Sequence, residues 1–361
     1  MSTKNEVSDA EHSPGEGGSD EHANAEPLTN WKTIDQFIVQ VNKHPKVVAP
    51  VYANGRQQVP IEIVIRARDA NGVVVNLTST QLKSIRLIEY DTGSAVGNVS
   101  DTKDNRFVYQ WPLTREDGTE VEEAAPTEND VPEVAAQSVT KYVHKNSLSG
   151  NWVAAEIISP SGAVFRTNTP NPSPGKFDSW VKLNGREPKV HDWSCFALSP
   201  AQNVLNNSNF DVDLYYVRFR DADLRIVASI NHRTSLARGA HYAWNKDSGR
   251  MEHLVIDKGA YRSMTRKSCR SAYEVTFTVD SRAEQATVAR IRDKIGNTCS
   301  NHSYQHGLAS YIDQHGNASK VMLRAASDGN TISLDNPHRA NELEPQTDEL
   351  DPPSDADPSL I

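Results

Sequence analysis

Histidines and cysteines are the first residues in this 361-residue chain with types and spacings that could do chemistry. His302 and His306 stand four apart in H-S-Y-Q-H, with Cys299 three residues before them and His315 nine after. On a helix, imidazoles at i and i+4 share a face, so with Cys299 or His315 they make a candidate zinc set. The Glu of a metalloprotease H-E-x-x-H is missing and Gly307 follows at once. A polar loop carrying surface histidines is therefore the simpler expectation, and no cofactor is expected. Cys195, Cys269 and Cys299 are odd in number and contain no C-x-x-C. No basic stretch followed by an apolar run opens the chain, so no standard secretory signal is read and reduced thiols are expected. The expected compartment is the cytoplasm, or the outside by a signal-independent route. A nucleophilic cysteine needs a base and an orienting partner, and no family signature surrounds any of the three.

A second candidate is basic and aromatic. Tyr261 to Tyr273 (YRSMTRKSCRSAY) sets Arg262, Arg266, Lys267 and Arg270 between two tyrosines. Base stacking and phosphate neutralisation use these residue types, and so does an edge strand protected by charge. Trp180, between Ser179 and Val181, and Trp193, in His-Asp-Trp-Ser, are the tryptophans expected at the surface as anchors for a protein or sugar partner. Trp152 and Trp244 lie in strand contexts and are expected in the core. Asp211, Asp213, Asp221 and Asp223 bring calcium to mind, but the EF-hand pattern is missing. No glycine-rich phosphate loop and no G-x-S-x-G elbow stands out.

The elements that would carry these residues can be read from charge and periodicity. The formal charge of -9 is concentrated at the ends: residues 1–30 and 336–361 each carry -6, which leaves +3 for residues 31–335. Both ends lack aromatics and are expected to be disordered acidic tails. A core so weakly basic disfavours nucleic acid as a partner. Within it, residues 101–133 hold ten acids against three bases and read as a long charged loop, whereas 214–294 hold sixteen bases against nine acids. No stretch approaches the ~18 uncharged apolar residues of a membrane span.

Strict alternation marks Ile61 to Arg68 as a half-buried strand, with Ile61, Ile63, Ile65 and Ala67 on one face, followed by an Asn71-Gly72 turn. Ser84 to Tyr90 with its Asp91-Thr-Gly93 turn is a second such unit. Asn151 to Ile158 with the Ser159 to Gly162 turn is a third. Trp31 to Val41 fits a short helix or an amphipathic strand. Thr167 to Pro174 carries three prolines, so a linker over 169–176 is predicted between a first β domain at 31–168 and a second at 177–335. In the second, Phe210 to Ser229 and Tyr273 to Val279 alternate, and Arg282 to Ile295 is the best helical candidate. Strand-and-turn pairs close the chain around His315-Gly-Asn317 and Asp328-Gly-Asn330.

The fold class expected is thus all-β: two antiparallel sandwich-like modules with a minor helical segment. In style, the repeated strand-and-turn units of the first half resemble immunoglobulin-like modules of bacterial surface proteins. The expected function is a non-enzymatic binding protein presenting loops to a protein or carbohydrate partner. Two alternatives stand beside it. One is a hydrolytic or metal-assisted enzyme or toxin in residues 190–335, around His232, His241, His302 and His306. The other is a subunit of a phage, tail or secretion particle.

Overall fold

A computed structural model describes residues 30–122, 136–173, 175–231, 241–246, 249–256, 263–267, 273–279, 282–294, 306–325 and 331–338. These are mostly β, in several antiparallel sheets. Among them no helix is long and apolar enough to cross a membrane. The tails expected at 1–30 and 336–361 lie outside the described residues except for Asn30 and residues 336–338.

The first half opens with β1 (Thr33–Val41), which takes the extended form of the Trp31 to Val41 segment. A register shift between Ile34 and Gln36 inserts one residue, so Ile34, Phe37, Val39 and Val41 all face inward. That bulge is why the sequence spacing imitates a helix before it settles into alternation. After β2 (His44–Pro45) and β3 (Val47–Tyr52) comes β4 (Val59–Arg68), which buries the alternating face read from its sequence. Next are β5 (Val74–Val75), the short helix α1 (Ser79–Lys83), β6 (Arg86–Glu89) and β7 (Val99–Ser100). Helix α1 survives at five residues because Thr78 and Gln81 form a reciprocal capping box. Strands β8 (Gln137–Val143), β9 (Gly150–Ile158), β10 (Val164–Arg166), β11 (Asn168–Ser173), β12 (Lys176–Asp178) and β13 (Val181–Arg186) complete this half.

One sheet runs β2-β1-β4-β8-β7, with β5 on the side of β4. In the other, β9 pairs with β6 along one edge and with β10 and β13 in succession along the opposite edge, and β13 pairs in parallel with β3. The two sheets enclose one core that includes Trp31, Phe37, Ile61, Ile63, Leu87, Val153, Ile157 and Leu183.

The proline-rich segment is not a linker. Asn168–Ser173 and Lys176–Asp178 form the two-stranded ribbon β11-β12, and β13 then returns into the first core through Val181 and Leu183. A ribbon outside the main sheets needs few ladder donors, so alternate prolines are tolerated there. The short connection between the halves runs instead through residues 187–192, and the part of 177–335 up to Arg186 belongs with the first half. The expected charged loop is also partly built: Leu113 joins the core, and Thr114 bridges Val48 and Glu120. Residues 123–135 of it lie outside the described residues.

The second half begins with a 3-10 turn at Trp193–Cys195, then β14 (Phe196–Leu198), β15 (Gln202–Asn206), β16 (Phe210–Phe219) and β17 (Ile226–Asn231). It continues with β18 (His241–Lys246), β19 (Gly249–Ile256), β20 (Ser263–Lys267) and β21 (Glu274–Thr278). Strands β22 (Ala286–Asp293), β23 (His306–Asp313), β24 (Ala318–Ala325) and β25 (Ile332–Asp335) follow. One sheet orders β16-β22-β19-β18, with β14 and β15 sharing the free edge of β16; a second orders β17-β23-β24-β25. The β20-β21 hairpin forms a third.

The helix expected over 282–295 is the central strand β22. Ala286 and Val288 on one face pack with Tyr215, Val217, Tyr311 and Val321; Ala289 and Ile291 on the other pack with Met264, Val275 and Phe277. Burial on both faces removes the period-two signal and leaves a continuous apolar run that a helix would also show.

Candidate functional site

Strand β9 carries one charged residue, Glu156, in the otherwise apolar run Trp152–Ile158, and its side chain is 1% exposed. Strand alternation puts Val153, Ala155 and Ile157 in the core and Trp152, Ala154, Glu156 and Ile158 on the opposite face. Register then sets Arg86 of β6 and Arg166 of β10 directly beside Glu156 on its two sides. Arg86 Nε donates to one carboxylate oxygen and Arg166 Nε to the other, each at 2.5 Å. One carboxylate is thus shared by two guanidiniums, and the row keeps one positive charge in excess. Both arginines stay half in water, at 54% and 44% exposure.

The ribbon β11-β12 rises beside this row from a buried polar base. Thr167 Oγ1 accepts from Ala155 N at 2.9 Å, and Ser179 Oγ accepts from Val39 N at 2.8 Å. With its base fixed to both sheets, the ribbon leaves an open groove of about 410 Å³ lined by Val164, Arg166, Asn168, Thr169, Gly175 and Lys176. Asn168 Nδ2 donates to Tyr90 O at 2.9 Å, which holds the turn after β6 against the groove. The foot of the ribbon is tied by Asp178, which accepts from Tyr90 OH and from Lys46 Nζ, both at 2.7 Å. Burial, the hydrogen bond to Asp178, and the charges of Asp178 and Asp91 push the Tyr90 hydroxyl up to about 12. It therefore remains a donor at any ordinary pH. Lys182 of β13 lies 4.1 Å from the Trp152 ring centroid on the same face.

Glu156→Ala would leave two guanidiniums without their shared acceptor. Urea unfolding should show a loss of about 2 kcal/mol, below that of a wholly buried pair because both arginines are partly solvated. An unchanged midpoint would mean that the three side chains do not act as a unit.

Of the residues singled out by sequence, those that the structure describes do not line this groove. Trp180 and Trp193 are half-buried, one just before β13 and the other in the 3-10 turn packed against β24 and β25. Trp152, expected in the core, is half-buried on the outward face beneath Lys182. Arg266 and Lys267 are the last residues of β20, in register with Val275 and Glu274. Tyr261, Arg262, Arg270, Cys269, Cys299, His302 and His232 lie outside the described residues. Cys195 is a free thiol, partly covered.

Of the metal set, only His306 and His315 lie among the described residues. His306 opens β23 and His315 lies beyond its far end, so roughly 25 Å of extended chain separates two residues that would have to meet at one ion. Among the described residues no group of three or more His, Cys, Asp or Glu could hold a metal. Asp211 and Asp213 are taken by Arg290 of β22, 1% exposed, whose Nη2 donates to both carboxylates. Asp221 instead closes its own bend by accepting from Asp223 N at 2.9 Å.

His315 has a different role. The β23-β24 turn, Asp313 to Asn317, is buried against the first half. Asn54 Nδ2 donates to His315 O at 2.9 Å and to Asn317 Oδ1 at 3.1 Å, and Arg56 Nη1 donates to Gly316 O at 3.2 Å. Val108 N donates to Gln314 O at 2.7 Å, and the His315 ring meets Tyr52 edge-on at 6.4 Å. Beneath the turn, Asp313 is fully buried and lies 3.2 Å from His191 Nε2. These contacts join the halves through satisfied polar groups rather than apolar packing. The chain matches no protein-family model and no curated protein.

Proposed function

We propose that the chain is a non-enzymatic binding protein made of two immunoglobulin-like sandwich modules, with the groove beside the β11-β12 ribbon as its ligand surface. Strand order supports the module reading. In the first half β1, β4, β8 and β7 form one sheet in the A-B-E-D order, and β6, β9 and β13 form the other in the C-F-G order. The second half repeats it, with β14 and β15, β16, β22 and β19 in one sheet and β17, β23 and β24 in the other. Fold alone does not carry function. The observation that carries the binding reading is the ribbon: an insertion that interrupts the last strand, fixed at a buried base and flanked by exposed Arg166 and Lys176 over an open groove. A partner, protein or carbohydrate, would meet a ribbon already tied to both sheets at its base, which lowers the ordering entropy lost on binding.

The test is to probe glycan and peptide arrays with the full chain and with an Arg166→Ala/Lys176→Ala double variant. Spots bound by the parent and lost in a folded double variant support the groove. Binding that the double variant retains in full moves the surface elsewhere.

A further inference from the structure

We infer that the groove is a subsite for a carboxylated saccharide, a uronate-type sugar, which rests on the groove being the binding surface proposed above. The chemistry begins with Arg166. Its Nε is committed to Glu156, and its two terminal nitrogens make no hydrogen bond among the described residues while the side chain is 44% exposed. A guanidinium held by one edge and free at the other presents planar paired donors, the geometry that a carboxylate accepts bidentately. Glu156 sets the direction of that plane from below, with Arg86 balancing it on the other side.

The rest of the groove selects for a sugar carrying that carboxylate. Lys176, exposed and also lining the groove, has no acidic partner among the described residues and supplies a second positive charge. Asp178, the nearest acid on the ribbon, is already taken by Lys46 and Tyr90. Asn168 follows Arg166 by two positions, about 7 Å along extended chain, on the scale of one monosaccharide. Its Nδ2 is used on Tyr90 O, which leaves the amide oxygen to accept from a hydroxyl, and Thr169 adds a hydroxyl of its own. Val164, 51% exposed, is in register with Ile158, 53% exposed, at the end of the groove, where they offer an apolar ledge for the C–H face of a pyranose. Donor fork, amide, hydroxyl and small apolar ledge sit on fixed backbone. Such a pattern matches a rigid ring with a carboxylate and hydroxyls better than acidic side chains on flexible stems, each of which would lose rotamer entropy on binding.

The probes are an oligogalacturonide, the same oligosaccharide with its carboxylates reduced to alcohols, and poly-glutamate, each titrated calorimetrically into the full chain at two salt concentrations. Saturable binding of the oligogalacturonide, and none of the reduced form, is expected. Lys176→Ala and Arg166→Lys should each weaken it roughly tenfold, the second because the charge stays while the planar fork is lost. Lys176 is exposed and has no acidic partner among the described residues, so its variant reads binding even where changes at Arg166 disturb the fold. No oligogalacturonide binding, or binding indifferent to both variants, overturns the inference. Equal affinity for poly-glutamate with the same variant dependence overturns it in favour of an acidic peptide. Neutral glycans bound through Arg166 and Lys176 on the arrays, without uronate binding, would sink the uronate assignment alone and leave the groove as a binding surface.

Discussion

Asp313→Ala should lower stability by about 3–5 kcal/mol, the range for removing one partner from a buried charged cluster. The carboxylate is fully buried and accepts from His315 N at 2.8 Å, Asn317 N at 2.9 Å and Asn317 Nδ2 at 3.2 Å, with His191 Nε2 3.2 Å away. Alanine fills none of these positions and leaves buried donors with nothing to receive them. Burial pushes the carboxyl up, but hydrogen bonds from His191, Asn317 and His315 outweigh it and hold Asp313 below the usual carboxylate range. The sign follows. A group with a depressed folded value stabilises fully above its unfolded value, about 4, and that contribution is lost as pH falls through the folded value. The gap in unfolding free energy between parent and Asp313→Asn should therefore be widest near neutrality and narrow below about pH 4. A gap that stays constant from pH 7 to pH 3 would show that the charge contributes nothing.

Gly316→Val should separate the halves without unfolding either. Gly316 has φ +83°, a region that costs an L-residue roughly 1–2 kcal/mol and a β-branched one more. A Cβ there would stand 2.8 Å from Arg56 Cβ and 3.0 Å from Asn54 Nδ2, so the turn has to withdraw from the first half. Its departure breaks the bonds from Asn54, Arg56 and Val108. Together the strain and lost bonds amount to about 3 kcal/mol or more. Calorimetry is expected to show the melting transition split in two, and small-angle scattering a larger radius of gyration. One unsplit transition with unchanged dimensions would refute the coupling.

How much of this was readable in advance differs by element. Strand β4 announced itself because one of its faces meets the core and the other meets solvent, so alternation in sequence mirrors alternation in space. Strand β22 reads as a helix because the β20-β21 hairpin covers its second face, and a strand buried on both faces shows no alternation within its own residues. The ribbon reads as a linker in sequence because proline rules out a central strand but says nothing about a ribbon standing beside the sheets. At the groove, Arg166 and Asn168 are ordinary polar residues near prolines; only the pairing of β10 with β9 brings Arg166 to Glu156. A lone carboxylate in the apolar run of β9 was the one available signal. His315 stands out in sequence for its imidazole, whereas its backbone carbonyl and its neighbours Gly316 and Asn317 make the hydrogen bonds to the first half. Periodicity reports on single elements, and the site depends on which elements become neighbours.

The parallel pairing of β3 with β13 has a mechanical consequence. Six consecutive residues of each strand lie side by side, from Val47 opposite Val181 to Tyr52 opposite Arg186, one strand near the start of the first half and the other at its end. Tension applied between the two ends of that half pulls these parallel neighbours in opposite directions along their own axes. All the hydrogen bonds between them then share the load in shear, instead of opening one after another as at the end of a hairpin. The first half is thereby arranged to resist being stretched along the chain.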